Sequence, residues 1–263
     1  MKRIPRALTV AGSDSGGGAG IQADLKTFAA LGVHGMSAVT AVTAQNSVDV
    51  CGVFELPPKF IAEQINAVLA DFGADAAKTG MLSNGPAIEA VAGCFESHHV
   101  RKFVLDPVMT STSGRPLLRP EAIRDLITRL IPLALLVTPN LHEASLLANL
   151  CIPNRQAMEE AARVIHRMGC RYVLIKGGHL AGDRVTDVLY DGKQTEILTA
   201  HRVATENIHG TGCTLSAAIT AGLAQGLEIP AAVRQAKEYV TGALQRSYRL
   251  GSGPGALGHF WKD

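Results

Sequence analysis

A five-residue run toward the end of the chain, His209-Gly210-Thr211-Gly212-Cys213, combines residue types suited to holding an anion. Two glycines free the backbone to turn sharply and present N–H groups. The residues that follow, Thr214-Leu215-Ser216-Ala217-Ala218-Ile219, read as the opening of a helix. A helix start leaves N–H donors unpaired and carries the positive end of the helix dipole, which favours a bound anion. The same field should favour the thiolate of a cysteine in the first turn. The run fits a phosphoryl group held beside the ionisable Cys213, with a glycine-rich helix cap as the plainer reading.

Further polar residues punctuate apolar runs. Asp106 closes one such run, Asn140 and Glu143 follow another, and Lys176 follows Tyr172-Val173-Leu174-Ile175. Oxygen groups at neighbouring strand ends suit Mg²⁺ carrying phosphates, mostly through water. Asn140 and Glu143 also have the spacing of a helix capping box. Lys176 is placed to reach a phosphate. Gln45 closes a run of apolar and small residues, and its amide offers both donor and acceptor to a heterocycle. Asp24 and Gln45 facing one ring would read an amino group and a neighbouring ring nitrogen. Asp24 otherwise reads as a dipole partner near a helix start.

These residues need strands and helices to position them. Strand patterns are expected at residues 7–11, 36–43, 76–78, 103–105, 135–137 and 172–175, with a hairpin of 185–190 and 195–198 turning on Asp191-Gly192. Helical spacing covers residues 21–31, 59–72, 86–96, 121–130, 141–147, 156–168, 214–225 and 231–248. The alternation implies an α/β fold, a central mostly parallel sheet with helices on both faces. Ligands of such folds bind at the carboxyl ends of the strands, where the polar punctuation lies. Residues 108–119 form a polar stretch, read as a surface loop or a flap over the site.

The 263 residues are 47% hydrophobic and 18% charged, with net charge +2. One domain over residues 1–263 is expected. The small net charge argues against nucleic acid or an anionic membrane as partner. The five cysteines show no C-x-x-C spacing, which fits a reducing cytoplasm. No apolar run is long enough to span a membrane, and the N-terminal residues make a poor signal peptide. Gly18-Ala19-Gly20-Ile21-Gln22-Ala23 fits a loose dinucleotide fingerprint, but the second strand ends without the acidic residue a ribose needs. The chain contains no G-x-x-x-x-G-K-[ST], so ATP would be held by another architecture.

The segments taken together resemble the hydroxymethylpyrimidine/phosphomethylpyrimidine kinases of thiamine biosynthesis, within the ribokinase-like superfamily. The matching segments run nearly the whole chain. They are Ala11-Gly12-Ser13-Asp14-Ser15-Gly16-Gly17-Gly18-Ala19-Gly20-Ile21-Gln22-Ala23-Asp24-Leu25-Lys26, Thr43-Ala44-Gln45-Asn46, Lys78-Thr79-Gly80-Met81-Leu82, Leu105-Asp106-Pro107-Val108-Met109, Thr138-Pro139-Asn140-Leu141-His142-Glu143-Ala144, Ile175-Lys176-Gly177-Gly178-His179 and His209-Gly210-Thr211-Gly212-Cys213-Thr214-Leu215-Ser216-Ala217-Ala218. The tail, Gly251-Ser252-Gly253-Pro254-Gly255-Ala256-Leu257-Gly258-His259, is similar in style.

The resemblance implies a small-molecule pyrimidine substrate lined by Gly12, Asp24, Gln45 and Met81, with Val108 as a wall. It implies an anion hole from Gly210, Thr211, Gly212 and Cys213, with Cys213 as base. Asp106 and Glu143 would organise Mg²⁺, while Asn140, Lys176, Gly210 and Gly212 would hold ATP. A homodimer is also implied. Phosphoryl transfer would go first to a hydroxymethyl group and then to the phosphate so made, with Cys213 mattering more in the first step. His209, Arg115 and Lys237 are candidates to meet the extra phosphate charge. With no added module, the kinase alone is expected, without a fused thiamine-phosphate synthase. The rival readings are a pyridoxal kinase, a non-catalytic pyrimidine sensor and, more remotely, a dehydrogenase.

Overall fold

A computed structural model describes residues 3–111 and 114–261. Its centre is one nine-stranded sheet in the order β3-β2-β1-β4-β5-β6-β7-β8-β9. The strands are β1 (Arg6–Asp14), β2 (His34–Gln45), β3 (Val50–Glu55), β4 (Ala76–Thr79), β5 (Phe103–Leu105), β6 (Leu136–Val137), β7 (Tyr172–Ile175), β8 (Arg184–Tyr190) and β9 (Thr195–His201). Strands β2, β1, β4, β5, β6 and β7 run parallel, while β3, β8 and β9 join at the two sides through antiparallel pairs. The mostly parallel sheet expected from the alternation is therefore present. The expected hairpin is β8–β9, whose turn is closed by Asp191 accepting the N–H groups of Lys193 and Gln194.

Alternation of side chains along each parallel strand feeds two cores, as burial on both faces demands. One face sends Leu8, Val10, Ala77, Phe103, Leu105, Val137 and Val173 into a core closed by α2 (Pro58–Asp71), α3 (Gly85–Ser97), α4 (Ala122–Asp125), α5 (Leu141–Ala148) and α6 (Arg155–His166). Helix α4 runs on into a π-helical turn, Leu126–Leu130, within the stretch expected as one helix. The other face sends Ala7, Ala76, Val104, Leu136 and Leu174 against α1 (Gly20–Ala30), α7 (Thr211–Ala224) and α8 (Ile229–Gln245).

The topology also fixes where a ligand belongs. From β1 the chain moves outward to β2 and later returns to place β4 on the other side of β1. The order therefore reverses between β1 and β4, and their carboxyl ends open a crevice there. The register of β1 against β2 shifts between Ala11 and Ser13, a bulge in which Thr40 and Ala41 of β2 stand opposite Gly12 at that mouth.

The chain after α8 folds back over α7 and α8. The Tyr239 hydroxyl donates to the His259 carbonyl at 2.6 Å, and Trp261 Nε1 donates to the Tyr239 carbonyl at 3.0 Å. His259 is 3% exposed. Burial, together with the charge of Lys26, lowers its pKa to about 4. An unfolded chain would protonate this ring near pH 6.5. The folded protein binds fewer protons in that interval, so stability falls as pH drops from about 6.5 to 4, by about 3 kcal/mol at full effect. Melting curves across this window should show a flatter acid slope for His259→Gln than for the parent. Identical slopes would contradict the neutral buried ring.

Candidate active site

The carboxyl ends of β1, β4, β5, β6 and β7 and the start of α7 surround one cavity of about 990 Å³. It is lined on one side by Gly12, Gln45, Met81 and Val108, and in the middle by Asp106, Asn140, Glu143 and Lys176. Gly210, Thr211, Gly212 and Cys213 line it as well. Twelve of the thirteen residues assigned to the pyrimidine, the anion loop, ATP and Mg²⁺ thus share one cavity although they span most of the chain.

Asp24 is the exception. It is fully buried on α1 and is not among the lining residues. Its oxygens accept from Lys78 Nζ, both at 2.9 Å, and from Thr9 Oγ1 at 2.6 Å. The expectation that Asp24 and Gln45 face the same ring is corrected here. A carboxylate that points inward from the first helix is satisfied by a lysine of β4, since a buried charge needs a partner.

Gln45 sits at the mouth with Thr43 and His209. Its amide lies 3.3 Å from Thr43 Oγ1 and 3.4 Å from His209 Nε2. His209 Nε2 is also 2.9 Å from Asp14. The Asp14 carboxylate accepts three backbone N–H groups of its own loop, from Gly16, Gly18 and Ala19. Burial works to raise the Asp14 pKa, but the bonds from His209, Ala19 and Gly16 outweigh it and hold the pKa below the ordinary value. The glycine-rich loop after β1 is thereby tied to the loop before α7, 195 positions away.

Gly210 caps α7 with φ +82°, a left-handed conformation. Thr211 N–H bonds the Ile208 carbonyl and Thr214 N–H bonds the Gly210 carbonyl. Helix geometry then leaves the N–H groups of Gly212 and Cys213 without intrahelical acceptors, as an anion site requires. Cys213 is not held as a thiolate, contrary to expectation. Burial pushes its thiol up to about 11, and the positive charge of Lys78 and an N–H from Gly20 do not overcome this beside Asp24 and Asp106.

Asp106 and Lys176 form an ion pair at 2.9 Å, in which Asp106 is 1% and the Lys176 side chain 14% exposed. Thr138 and Ser216 hydroxyls complete the Asp106 carboxylate at 3.3 and 3.1 Å. Burial opposes its ionisation, and Lys176 with Lys78 outweighs burial, so its pKa is lowered. Asn140 and Glu143 form the full capping box at the start of α5, with bonds of 2.8 and 2.9 Å. Burial and the nearby Asp106 raise the Glu143 pKa to about 7, against the pull of Lys176.

Of the candidates for extra phosphate charge, His209 and Lys237 line the cavity, while Arg115 does not. The Arg115 guanidinium instead donates to the Val50 carbonyl. Lys237 is held by Asp187 at 2.5 Å. Residues 112 and 113 of the expected flap lie outside the described residues.

A further part of the cavity lies between the β8–β9 hairpin and α8, where Val185, Ala200, Val203, Ala204, Val240 and Leu244 make an apolar slot. Nothing in the sequence flagged these residues, because they are ordinary aliphatics. Their only signal was that the hairpin adjoins Lys176-Gly177-Gly178 in the chain.

A family model described as phosphomethylpyrimidine kinase matches residues 14–258. The chain belongs to this family. A hydroxymethylpyrimidine/phosphomethylpyrimidine kinase of Streptomyces coelicolor is 49% identical over 257 residues, covering 98% of this chain and 95% of the relative. Among solved structures, a phosphomethylpyrimidine kinase from Clostridium difficile is 44% identical with a TM-score of 0.81, covering 91% of this chain and 98% of that one. A Bacillus subtilis pyridoxal kinase, solved as an ADP complex, is 41% identical with a TM-score of 0.91 and 98% coverage of both chains. Phosphomethylpyrimidine kinases and pyridoxal kinases thus share this fold.

Proposed function

We propose that this protein transfers the γ-phosphoryl group of ATP to the hydroxymethyl group of 4-amino-5-hydroxymethyl-2-methylpyrimidine, and then to the phosphate so formed, as steps of thiamine biosynthesis. The observation that carries the reading is one cavity lined by Gly12, Gln45, Met81 and Val108, by the glycine loop at residues 210–213 and by an apolar slot. The pyrimidine would lie against the rim, the adenosine of ATP in the slot, and the γ-phosphoryl between them at Gly212 and Cys213.

Phosphoryl transfer depends mainly on positioning and on neutralising charge. The substrate oxygen forms a bond to the γ-phosphorus as the bond to the leaving ADP oxygen breaks. The N–H groups of Gly212 and Cys213 and the start of α7 would stabilise the transferring group. Lys176 would exchange part of its bond to Asp106 for a phosphate. Burial keeps the Cys213 thiol protonated at rest, so it would take the hydroxymethyl proton only as the minor thiolate, after its own proton has passed to solvent. A phosphate acceptor carries no such proton, so Cys213 matters more in the first step.

Asp106 and Glu143 are the carboxylates suited to Mg²⁺. They line one cavity, and their mutual repulsion contributes to the raised Glu143 pKa. Among the described residues no group of three or more His, Cys, Asp or Glu residues makes a metal cage. The donor set therefore fits a hydrated Mg²⁺ that arrives with ATP. When bound, the ion would neutralise phosphate charge.

The free cysteines and the absence, among the described residues, of a helix long and apolar enough to cross a membrane support a cytoplasmic enzyme. A homodimer is supported by Val42, Val53 and Phe54, exposed at the β2–β3 side of the sheet.

Pyridoxal phosphorylation is the second reading, favoured by likeness to the Bacillus subtilis pyridoxal kinase. With Asp24 withdrawn from the cavity, the acceptor rim distinguishes the two rings less sharply. The test is ATP consumption with Mg²⁺ on each substrate, with products followed by mass. Two successive phosphoryl additions to the pyrimidine are expected. A single addition, or a preference for pyridoxal, would move the assignment to a vitamin B6 kinase, and binding without turnover would leave a sensor.

A further inference from the structure

The glycine-rich tail has no part in the chemistry above, yet it touches the turn after Gln45, the loop before α7 and the first turn of α7. Gly253 N–H donates to Ser47 Oγ at 3.1 Å, in the turn just after Gln45. The approach is so close that any side chain at Gly253 would overlap the Ser47 carbonyl. Gly255 N–H then donates to Asn207 Oδ1 at 3.1 Å, and the Gly255 carbonyl accepts His209 N–H at 3.2 Å. Ala256 pairs with Tyr248 through two backbone bonds of 3.0 Å. Finally His259 Nε2 meets Thr214 Oγ1 at 3.1 Å, one residue beyond Cys213. Thr214 is fully buried.

The ring of His259 also bonds the Leu257 backbone. A carbonyl acceptor there places the proton on Nδ1, which leaves Nε2 to accept the Thr214 hydroxyl. Gln45, His209 and Cys213 are far apart in sequence, and one short run of tail braces the turn, loop and helix start that carry them. The β8–β9 hairpin, which forms one wall of the apolar slot, is instead carried by its pairing to β7.

We propose that the C-terminal strap, residues 247–261, is a positioning element of the active site: it sets the spacing between Gln45 on the acceptor rim and the anion loop at residues 210–213, and His259 is the positioning residue that seats the first turn of α7. The rate consequence rests on the kinase reading. A reacting oxygen and a phosphorus must meet within a narrow distance, and a misplacement of about 1 Å costs on the order of a hundredfold in rate.

The test compares His259→Leu, His259→Gln, Gly253→Val and Ser47→Ala in the full chain. His259→Leu and Gly253→Val are expected to lower kcat by about ten- to a hundredfold. The KM for ATP should rise far less than kcat falls, because one wall of the slot, the β8–β9 hairpin, is carried by its pairing to β7. His259→Gln keeps an acceptor for Thr214 and should recover most of the rate. Ser47→Ala removes one hydrogen bond from a surface turn, so it will fold, and kcat should fall about threefold.

A second readout needs no substrate. Iodoacetamide labelling, mapped by peptide mass, should reach Cys213 several times faster in the leucine and valine variants. Cys94, buried on α3 across the sheet, should label at the parental rate. If kcat and the KM for ATP worsen together, or if Cys94 and Cys213 labelling rise together, the tail is a general stabiliser and the proposal fails. An unchanged kcat in Ser47→Ala also overturns it should the larger variants not fold. Failure of the parent to phosphorylate either vitamin precursor would sink the kinase reading, while the labelling comparison would still test the strap.

Discussion

Replacing Lys78 with methionine is expected to cost ~3–5 kcal/mol of folding stability, the largest loss from any single side chain of the site. Lys78 and Asp24 are both fully shielded from water, and the ammonium is bound to both carboxylate oxygens. Burial works against the charged lysine, but Asp24, Cys213 and Asp106 outweigh it and raise its pKa. The pair itself adds little net stability over apolar residues of like size, because desolvating two charges offsets most of their attraction. Removing one partner is different, since it strands the other charge in the interior. The double variant Lys78→Met with Asp24→Asn should therefore recover most of the loss. Urea unfolding of the three proteins decides this. A single variant within about 1 kcal/mol of the parent would mean that Asp24 is already neutral or reaches water.

The same pair marks the limit of what the sequence disclosed. The strand containing Lys78 was recognised, and alternation puts Lys78 on the face of Ala76, toward α1 and α7. Nothing local says that a lysine on that face meets a carboxylate 54 positions earlier. Read locally, Asp24 is a dipole partner or a ring contact, and neither reading reaches the interior ion pair. The Asp14–His209 link was hidden for the same reason, because neither residue has a partner pattern within its own segment. Where positions depend on strand ends the outcome was better. Asp106, Asn140, Glu143 and Lys176 share one cavity because parallel strands deliver their following residues to one edge. Strand β3 escaped notice because only Val50 among its residues is buried, so an edge strand exposed on both faces shows no alternation to read. The state of Cys213 followed from burial and neighbouring charge, which a helix-start motif does not encode.

Replacing Gly210 with alanine is expected to lower kcat by about a hundred- to a thousandfold, the effect of losing an oxyanion donor's alignment. Two features make this position intolerant. Its φ of +82° is left-handed, which costs a residue with a Cβ about 1–2 kcal/mol. A Cβ would also overlap the Gly18 carbonyl oxygen, so the loop before α7 must move away from the loop after β1. On the proposed reading, that movement would carry the Gly212 and Cys213 N–H groups away from the γ-phosphoryl group. ATP should still bind, since the apolar slot is untouched, so kcat should fall far more than the KM for ATP rises. Gly212→Ala provides the contrast. A Cβ there would lie 3.4 Å from Lys176 Nζ, the end of a flexible side chain, and Gly212 is not among the left-handed glycines. Its loss in kcat should be at least tenfold smaller than that of Gly210→Ala. Equal losses in the two variants would mean that the loop needs small residues throughout and that the left-handed turn at Gly210 does not itself aim the donors.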